Sequence, residues 1–447
     1  DKEVAGEKAF KWEEEFKEIM DNGGFDVVIG NPPYGANLSN EIQDYLNKKY
    51  IKGASETAIA FIKLGKNLLK NIGKLGYIIP KSFIFSSNYE FIRKDLLNGI
   101  SEIVDCKKVW KEVKLEQVII VFSKESEVNS YFTSELNGKT ITKLDLIEKE
   151  ECIKFGFLLN GVTKMEIEIA KKMRQHNIFL KDVSNNSRGA TIQKYITEIG
   201  ETEVLGGADI QRYGIVSIKG KINMEIVENI EKATIKSNAI LVQNIVAHIE
   251  NPKDHIKIIA CLPDNNDYLI LDTINQIEID ININKKIIWA LLNSKLLNWY
   301  VYRFIFAKAI RTMHFDNIVT DRIPIFKDIK NALFLNQIEK FVELNKAFFG
   351  INSKFISYIS DKWKLEKISG KIEEFYLYDF TNLLKELKKQ KIVLQGMEEY
   401  SLKEIFDSEK LKLEELKKDI EKTDKEIDKM VYELYGLTEE EIAIIEG

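Results

Sequence analysis

The chain has 447 residues, 45% hydrophobic and 30% charged, which is the balance of a globular protein with enough apolar material for two or three domains. Lys plus Arg (65) against Asp plus Glu (70) gives a net charge of -5, so the whole chain is not a basic nucleic-acid binder and any such contact must come from local patches. Three cysteines without C-x-x-C spacing and four scattered histidines form no metal constellation, and no signal peptide or long apolar span is present; a cytoplasmic protein with no metal and no membrane partner is expected.

Residues before 25 read as a lead-in segment, FKWEEEFKEIM, with no glycine-rich strand-to-helix turn. The chain's most informative stretch follows, FDVVIGNPPYG (25 to 35). Phe25 to Ile29 is a run of β-formers that reads as a buried strand, broken at Gly30 to deliver Asn31, Pro32, Pro33 and Tyr34 to its carboxyl end. In an open α/β sheet that is where ligands bind. Two consecutive prolines stiffen the loop and remove two backbone donors, so its carbonyls look for an external N–H. An exocyclic amine of a nucleobase satisfies that demand: the Asn31 side-chain oxygen and the Pro32 carbonyl each accept one hydrogen, and Tyr34 stacks on the ring. The competing reading is a rigid turn with no chemistry.

A helix is predicted from Glu56 to Asn71, with Ala58, Phe61, Ile62, Gly65, Leu68, Leu69 and Ile72 on one face, then a turn at Gly73 to Gly76 and a short strand, Tyr77 to Pro80. A second helix around Tyr89 to Leu97 leads to strands at Glu102 to Asp105 and Gln117 to Phe122. This is the strand-helix-strand pattern of a parallel sheet.

The NPPY loop resembles the (D/N/S)-P-P-(Y/F/W) signature of amino-group methyltransferases that use S-adenosylmethionine, and GKLGYIIPKSF with VWKEVKLEQVIIVF (109 to 122) is similar to restriction-modification adenine methyltransferases. The resemblance implies the back half of a class I methyltransferase sheet, with Trp110 on the face of a flipped base opposite Tyr34, replacing the stacking lost on extrusion. It also implies that Asn31 faces the cofactor and that the remaining cofactor residues, and in some relatives a nuclease domain, lie upstream of Asp1 in the same polypeptide. No P-D…(D/E)-x-K constellation of such a nuclease is found. Without its neighbour the strand at 25 to 29 would be an apolar sheet edge facing water. The chain alone is therefore expected to be inactive.

From 156 to about 330 the pattern changes to short strands and turns. A polar loop is predicted at Ser184 to Arg188, and strands in GGADIQRYGIV and ILVQNIVAHI. SRGATIQ (187 to 193), LGGADIQRYGI (205 to 215) and LLNSKLLNWYVYRF (291 to 304) with IPIF (323 to 326) resemble a TaqI-like target-recognition domain. Arg188, Lys194, Arg212, Tyr213, Lys219, Arg303, Lys308, Arg311 and His314 are its candidate contacts with double-stranded DNA, Arg suited to guanine and the others to phosphate. Each can equally be a solvated surface group. Trp289, Trp299, Tyr300 and Tyr302 read as helix core.

Residues 331 to 447 are helical, with no proline. Leu402, Ile405, Phe406, Leu413, Leu416 and Ile420 share an amphipathic face, Gly436 ends a helix, and Thr438 with Glu441 makes a capping box for the next. EIDKMVYELYGLTEEEIAII (426 to 445) resembles the C-terminal segment of type IIG restriction-modification enzymes and is expected to pack on the recognition region.

The predicted fold class is thus α/β, a partial class I methyltransferase sheet (1 to 155), followed by an α+β target-recognition domain (156 to 330) and a helical C-terminal region (331 to 447). The function implied is N6-adenine methylation of DNA from S-adenosylmethionine. Two alternatives remain: a DNA-binding specificity module without catalysis, and a methyltransferase acting on RNA or protein amides. Cytosine also fits the loop chemically, although NPPY and the Trp110 spacing favour adenine.

Overall fold

The computed structural model describes residues 10–34, 38–49, 57–109, 115–124, 128–212, 214–224, 230–247, 256–309, 313–326 and 332–447. The chain divides into two compact units: Asp1–Lys171 with Tyr300–Arg311, and Lys172–His248, His255–Trp299 and Thr312–Gly447.

The first unit is built on a six-stranded sheet. Its strands are β1 (Phe25–Gly30), β2 (Leu69–Pro80), β3 (Ile100–Lys107), β4 (Gln117–Ser123), β5 (Ser130–Asn137) and β6 (Thr140–Glu148), in the order β1-β2-β4-β3-β5-β6. β1 and β2 run parallel, linked through helices α1 (Asn40–Lys49) and α2 (Thr57–Leu68). α3 (Glu90–Leu96) precedes the β3–β4 hairpin, whose second strand inserts antiparallel beside β2. Leu75, Ile79, Ile103, Val118 and Ile120 are at or near zero exposure and form the sheet core. α4 (Lys149–Phe155) and α5 (Lys164–Arg174) follow the sheet in sequence.

Three local expectations change. β1 is an edge strand with Val27 58% and Ile29 78% exposed, which departs from the buried-strand reading and agrees with the apolar sheet edge expected of the chain alone. The helix before β2 stops at Leu68, and the expected turn at Gly73 to Gly76 is part of β2. Gly73 lies in a bulge: pairing jumps from Phe25↔Leu69 to Val27↔Lys74, and a Cβ at Gly73 would lie 2.7 Å from the Phe25 carbonyl, whereas Gly76 pairs in regular register with Ile29. Glycine there permits a close backbone approach inside a strand.

The second unit contains short sheets. β7 (Ser184–Arg188), β12 (Ala239–Gln243), β14 (Ala260–Cys261) and β16 (Ile274–Ile279) form a four-stranded sheet in the order β14-β12-β16-β7. β8 (Thr202–Leu205), β11 (Gly220–Ile222) and β15 (Leu269–Ile270) form a second sheet, and β9 (Ile210–Gln211) pairs with β10 (Gly214–Ile215). β13 (Ile245–Ala247) pairs with β17 (Met313–His314). The expected polar loop at Ser184 to Arg188 is therefore strand β7. Its hydrogen-bonding partner Ile274–Ile279 supplies the apolar residues, and an edge strand tolerates short polar side chains on itself.

Helices α6 (Lys285–Asn293) and α7 (Lys295–Tyr300) bury Trp289, Trp299 and Tyr300, and a single π-helical turn, Val301–Ile305, buries Tyr302; all four aromatics are core, as expected. The tail is helical: α8 (Ala332–Trp363), α9 (Phe380–Lys389), α10 (Met397–Leu434) and α11 (Glu439–Glu446). Leu402, Phe406 and Leu413 of α10 bury themselves with Phe348, Phe355 and Ile359 of α8. Gly436 takes φ +63°, and Thr438 accepts from the Glu441 N–H while the Glu441 carboxylate accepts from the Thr438 N–H, the capping box read from sequence. Lys172 reaches this helix through a 2.7 Å ion pair with Glu441. No described helix is long and apolar enough to cross a membrane.

Candidate active site and nucleic-acid interface

The loop Asn31 to Tyr34 follows β1 directly, at the carboxyl end of the parallel β1–β2 pair. Pro32 is buried, Asn31 and Pro33 are exposed and Tyr34 is half-buried. The loop is anchored from the start of α2, where the Thr57 hydroxyl donates to the Pro33 carbonyl at 2.5 Å. Neither the Asn31 side chain nor the Pro32 carbonyl takes a hydrogen bond from any described residue. Those are the two acceptors that the sequence pattern assigns to an incoming amine. Trp110 lies outside the described residues, so its pairing with Tyr34 stays an expectation.

Beside the loop the same end of the sheet carries buried charge, which the sequence reading did not identify. Lys81, just past β2, donates to Asp105 Oδ2 on β3 at 2.7 Å and to the Lys308 carbonyl at 3.1 Å, with Glu116 3.7 Å away at the foot of β4. The second oxygen of Asp105 accepts from the Lys107 N–H at 2.9 Å. Lys308 donates to the Gly161 carbonyl at 2.8 Å, and Ala307 and Lys308 both hold left-handed φ values, +51° and +54°. Non-glycine residues held there are strained and persist only where the surroundings fix them. Burial, reinforced by the Asp105 charge, pushes the neighbouring Cys106 thiol up to about 11, so it is not a nucleophile. The signal for this cluster was an ionisable residue at each of three strand ends: Lys81 in IIPKSF, Asp105 in IVDCK and Glu116 before QVIIVF.

The candidate DNA contacts separate into two groups. Arg212 is bidentate to Asp424 (2.9 and 2.6 Å), Arg303 donates from Nε to Glu166 at 2.7 Å, and Lys308 is engaged as described, so these three cations hold the fold. Arg188, Lys194 and His314 are exposed. Arg188 stands at the end of β7, its Nε donating to the Asp272 carbonyl at 2.5 Å, and Lys194 lies 4.6 Å from the Tyr195 ring centroid. His314 ends β17, with Nδ1 2.6 Å from Asn244 Oδ1. Lys219 lies on a loop and is exposed, whereas Tyr213 and Arg311 fall outside the described residues. No group of His, Cys, Asp and Glu that could hold a metal occurs among the described residues.

Comparison with known proteins bears on this geometry. Residues 1–110 match the family described as Eco57I restriction-modification methylase, and residues 327–431 match a domain of unknown function, DUF8810. A Methanocaldococcus jannaschii protein named as a type II restriction enzyme and methyltransferase is 42% identical over 89 residues, 20% of this chain and 8% of that protein. The type II methyltransferase M.TthHB8I of Thermus thermophilus is 28% identical over 141 residues, 28% of this chain and 32% of that protein. The solved structure of the type IIL restriction-modification enzyme MmeI with DNA overlaps 93% of this chain and 55% of that chain, at 12% identity and a TM-score of 0.49. The chain thus spans a small part of the curated relatives it matches. The resemblance to restriction-modification methyltransferases read from the NPPY segment is supported by the family match and the two sequence relatives.

Proposed function

We propose that this chain carries the acceptor-holding loop and the target-recognition region of a restriction-modification enzyme that methylates the N6 amine of adenine in double-stranded DNA, with S-adenosylmethionine as donor. The observation that carries the reading is the loop itself: Asn31 and Pro32 offer two acceptors at the carboxyl end of β1, with no described residue occupying them, and Thr57 holds the following carbonyl in place. The match of residues 1–110 to a restriction-modification methylase family supports it.

In this mechanism the Asn31 side-chain oxygen and the Pro32 carbonyl each accept one N6 hydrogen of an extruded adenine. Two acceptors draw the amine away from conjugation with the ring and leave its lone pair directed outward. Tyr34 covers one face of the base and Trp110 the other, replacing stacking worth a few kcal/mol. S-adenosylmethionine, when bound, supplies an electrophilic methyl group, and Asn31 is the residue of this chain placed to face it. No strong base is needed, because the amine becomes acidic once it has taken the methyl and releases its proton from the position that Asn31 or Pro32 holds. The layout proposed is a catalytic half-domain over 1–155, a recognition domain over 156–330 and a helical region over 331–447.

One observation favours the second reading, a DNA-binding specificity module that does not catalyse. β1 leaves Val27 and Ile29 exposed on an open parallel edge, and no strand of the described residues covers that edge. The two readings are separated by offering labelled S-adenosylmethionine with duplex DNA, RNA or protein. Label in duplex DNA that disappears in Asn31→Ala supports methyl transfer; sequence-selective DNA binding with no cofactor binding supports the module.

A further inference from the structure

The second unit contains a one-directional chain of side-chain amides that ends on an exposed histidine. The Phe315 carbonyl, which can only accept, takes hydrogen bonds from Asn186 Nδ2 at 3.0 Å and from Asn275 Nδ2 at 2.8 Å. That fixes which end of both amides is nitrogen, since turning either one would set oxygen against oxygen. Asn275 Nδ2 also donates to Asn186 Oδ1 at 3.0 Å, so its own oxygen is left to accept, and Asn244 Nδ2 donates to it at 2.5 Å. Asn244 must then turn its oxygen toward His314, 2.6 Å from Nδ1. An oxygen there requires Nδ1 to carry the proton.

The consequence falls on the other ring nitrogen. In the neutral imidazole Nε2 is a bare acceptor, and His314 is exposed while Asn244 and Asn275 are each 2% exposed. The backbone braces the same arrangement: the Phe315 N–H donates to the Asn244 carbonyl at 2.8 Å and the Asn244 N–H to the Thr273 carbonyl at 2.9 Å. Arg188 belongs to the same surface. It is the register partner of Asn275 across β7 and β16, and Asn186, two residues before it, shares its face of β7. Donor and acceptor are thus presented from one polar face, and half of the Arg188 side chain is accessible although Asp272 steadies it.

We infer that His314 is a specificity-determining residue whose Nε2 accepts a hydrogen bond from the exocyclic amine of a DNA base, adenine N6 or cytosine N4, in the major groove, its tautomer fixed by the Asn186–Asn275–Asn244 chain. A phosphate oxygen carries no hydrogen and has nothing to give such an acceptor, whereas these two amines are the donors that the major groove displays. The inference rests on the DNA-recognition reading above.

The test selects bound sequences from a randomised duplex pool with this chain, wild type and His314→Ala, and reads the tautomer of His314 by long-range nitrogen–proton NMR. The wild type is expected to prefer an adenine or cytosine at one position, His314→Ala to lose roughly tenfold of that preference at that position alone, and the spectrum to show Nδ1 protonated in the neutral ring. A wild type with no sequence preference at any position overturns the recognition reading and the inference with it. A wild type that selects, beside a His314→Ala variant with every preference intact, overturns the inference alone. So does a uniform loss of affinity for all sequences, which marks a phosphate contact, or a neutral ring protonated at Nε2.

Discussion

Lys81 and Asp105 form a 2.7 Å ion pair at the carboxyl end of the sheet with side-chain exposures of 3% and 4%. Removing one partner of such a pair strands the other charge in a low-dielectric interior, at a cost of about 3–5 kcal/mol. Lys81→Met is therefore expected to lower stability by that amount, read as the midpoint of urea unfolding. The double change Lys81→Met with Asp105→Leu is expected to lose less than Lys81→Met alone, because the Asp105 carboxylate is no longer stranded. A double variant worse than the single one would show that the pair is not the source of the loss.

Asn31→Ala separates chemistry from folding. The side chain is exposed and receives no hydrogen bond from a described residue, so the unfolding midpoint should move by less than about 0.5 kcal/mol. Loss of one of the two groups proposed to hold the reacting amine is expected to slow methyl transfer on the order of a hundredfold or more. The comparison is single-turnover transfer by the polypeptide containing this chain against circular dichroism of the same preparation.

Arg212 and Arg188, both candidate DNA contacts in the sequence, are expected to behave oppositely. Arg212 is spent on Asp424 and its carbonyl accepts from the Trp289 indole at 3.0 Å, so Arg212→Met should cost about 1–3 kcal/mol of stability and leave duplex affinity as it was. Arg188→Ala should change stability little and weaken duplex binding, with a shallower dependence of affinity on salt. Equal effects of the two changes on binding would contradict this division.

What the sequence revealed and what it hid follow from the range of the interactions. A run of β-formers broken by Gly-Asn-Pro-Pro is a local signal, and the strand and loop at 25 to 34 are where it puts them. The Thr438–Glu441 cap is equally local. β7 was missed because Ser184-Asn185-Asn186-Ser187-Arg188 has no apolar alternation of its own; Ile274–Ile279, ninety residues away in sequence, makes it a strand. Gly73 to Gly76 read as a turn because a bulge at Gly73 and a glycine in regular pairing at Gly76 have the same composition as one. Arg212 and Arg303 looked like free cations because Asp424 and Glu166 are distant in sequence, and the amide chain beneath His314 joins four segments that no spacing rule connects.

Asp428 gives the second unit a pH dependence with a definite sign. Burial first, and the neighbouring Asp424 charge second, raise its carboxyl from 3.8 to about 6, against the opposing hydrogen bond that it accepts from the Lys295 N–H at 3.0 Å. The folded state thus holds this proton more tightly than the unfolded chain. Its contribution to stability is fully present below pH 3.8 and is lost as pH rises through about 6. Asp428→Asn removes the titration and keeps an oxygen for the Lys295 N–H. The variant should exceed wild type in stability at pH 7 to 8, by on the order of 2–3 kcal/mol, with the difference shrinking toward pH 4. Parallel stability curves for the two proteins between those limits would refute the assignment.

The most direct measurement is nucleoside mass spectrometry of duplex DNA incubated with the polypeptide containing this chain and methyl-labelled S-adenosylmethionine. The expected result is label in N6-methyladenine, at one sequence context, that disappears in Asn31→Ala. Label only in RNA, in protein or in N4-methylcytosine, or label in N6-methyladenine that survives Asn31→Ala, would contradict the assignment of Asn31 to Tyr34 as the loop that holds the adenine amine.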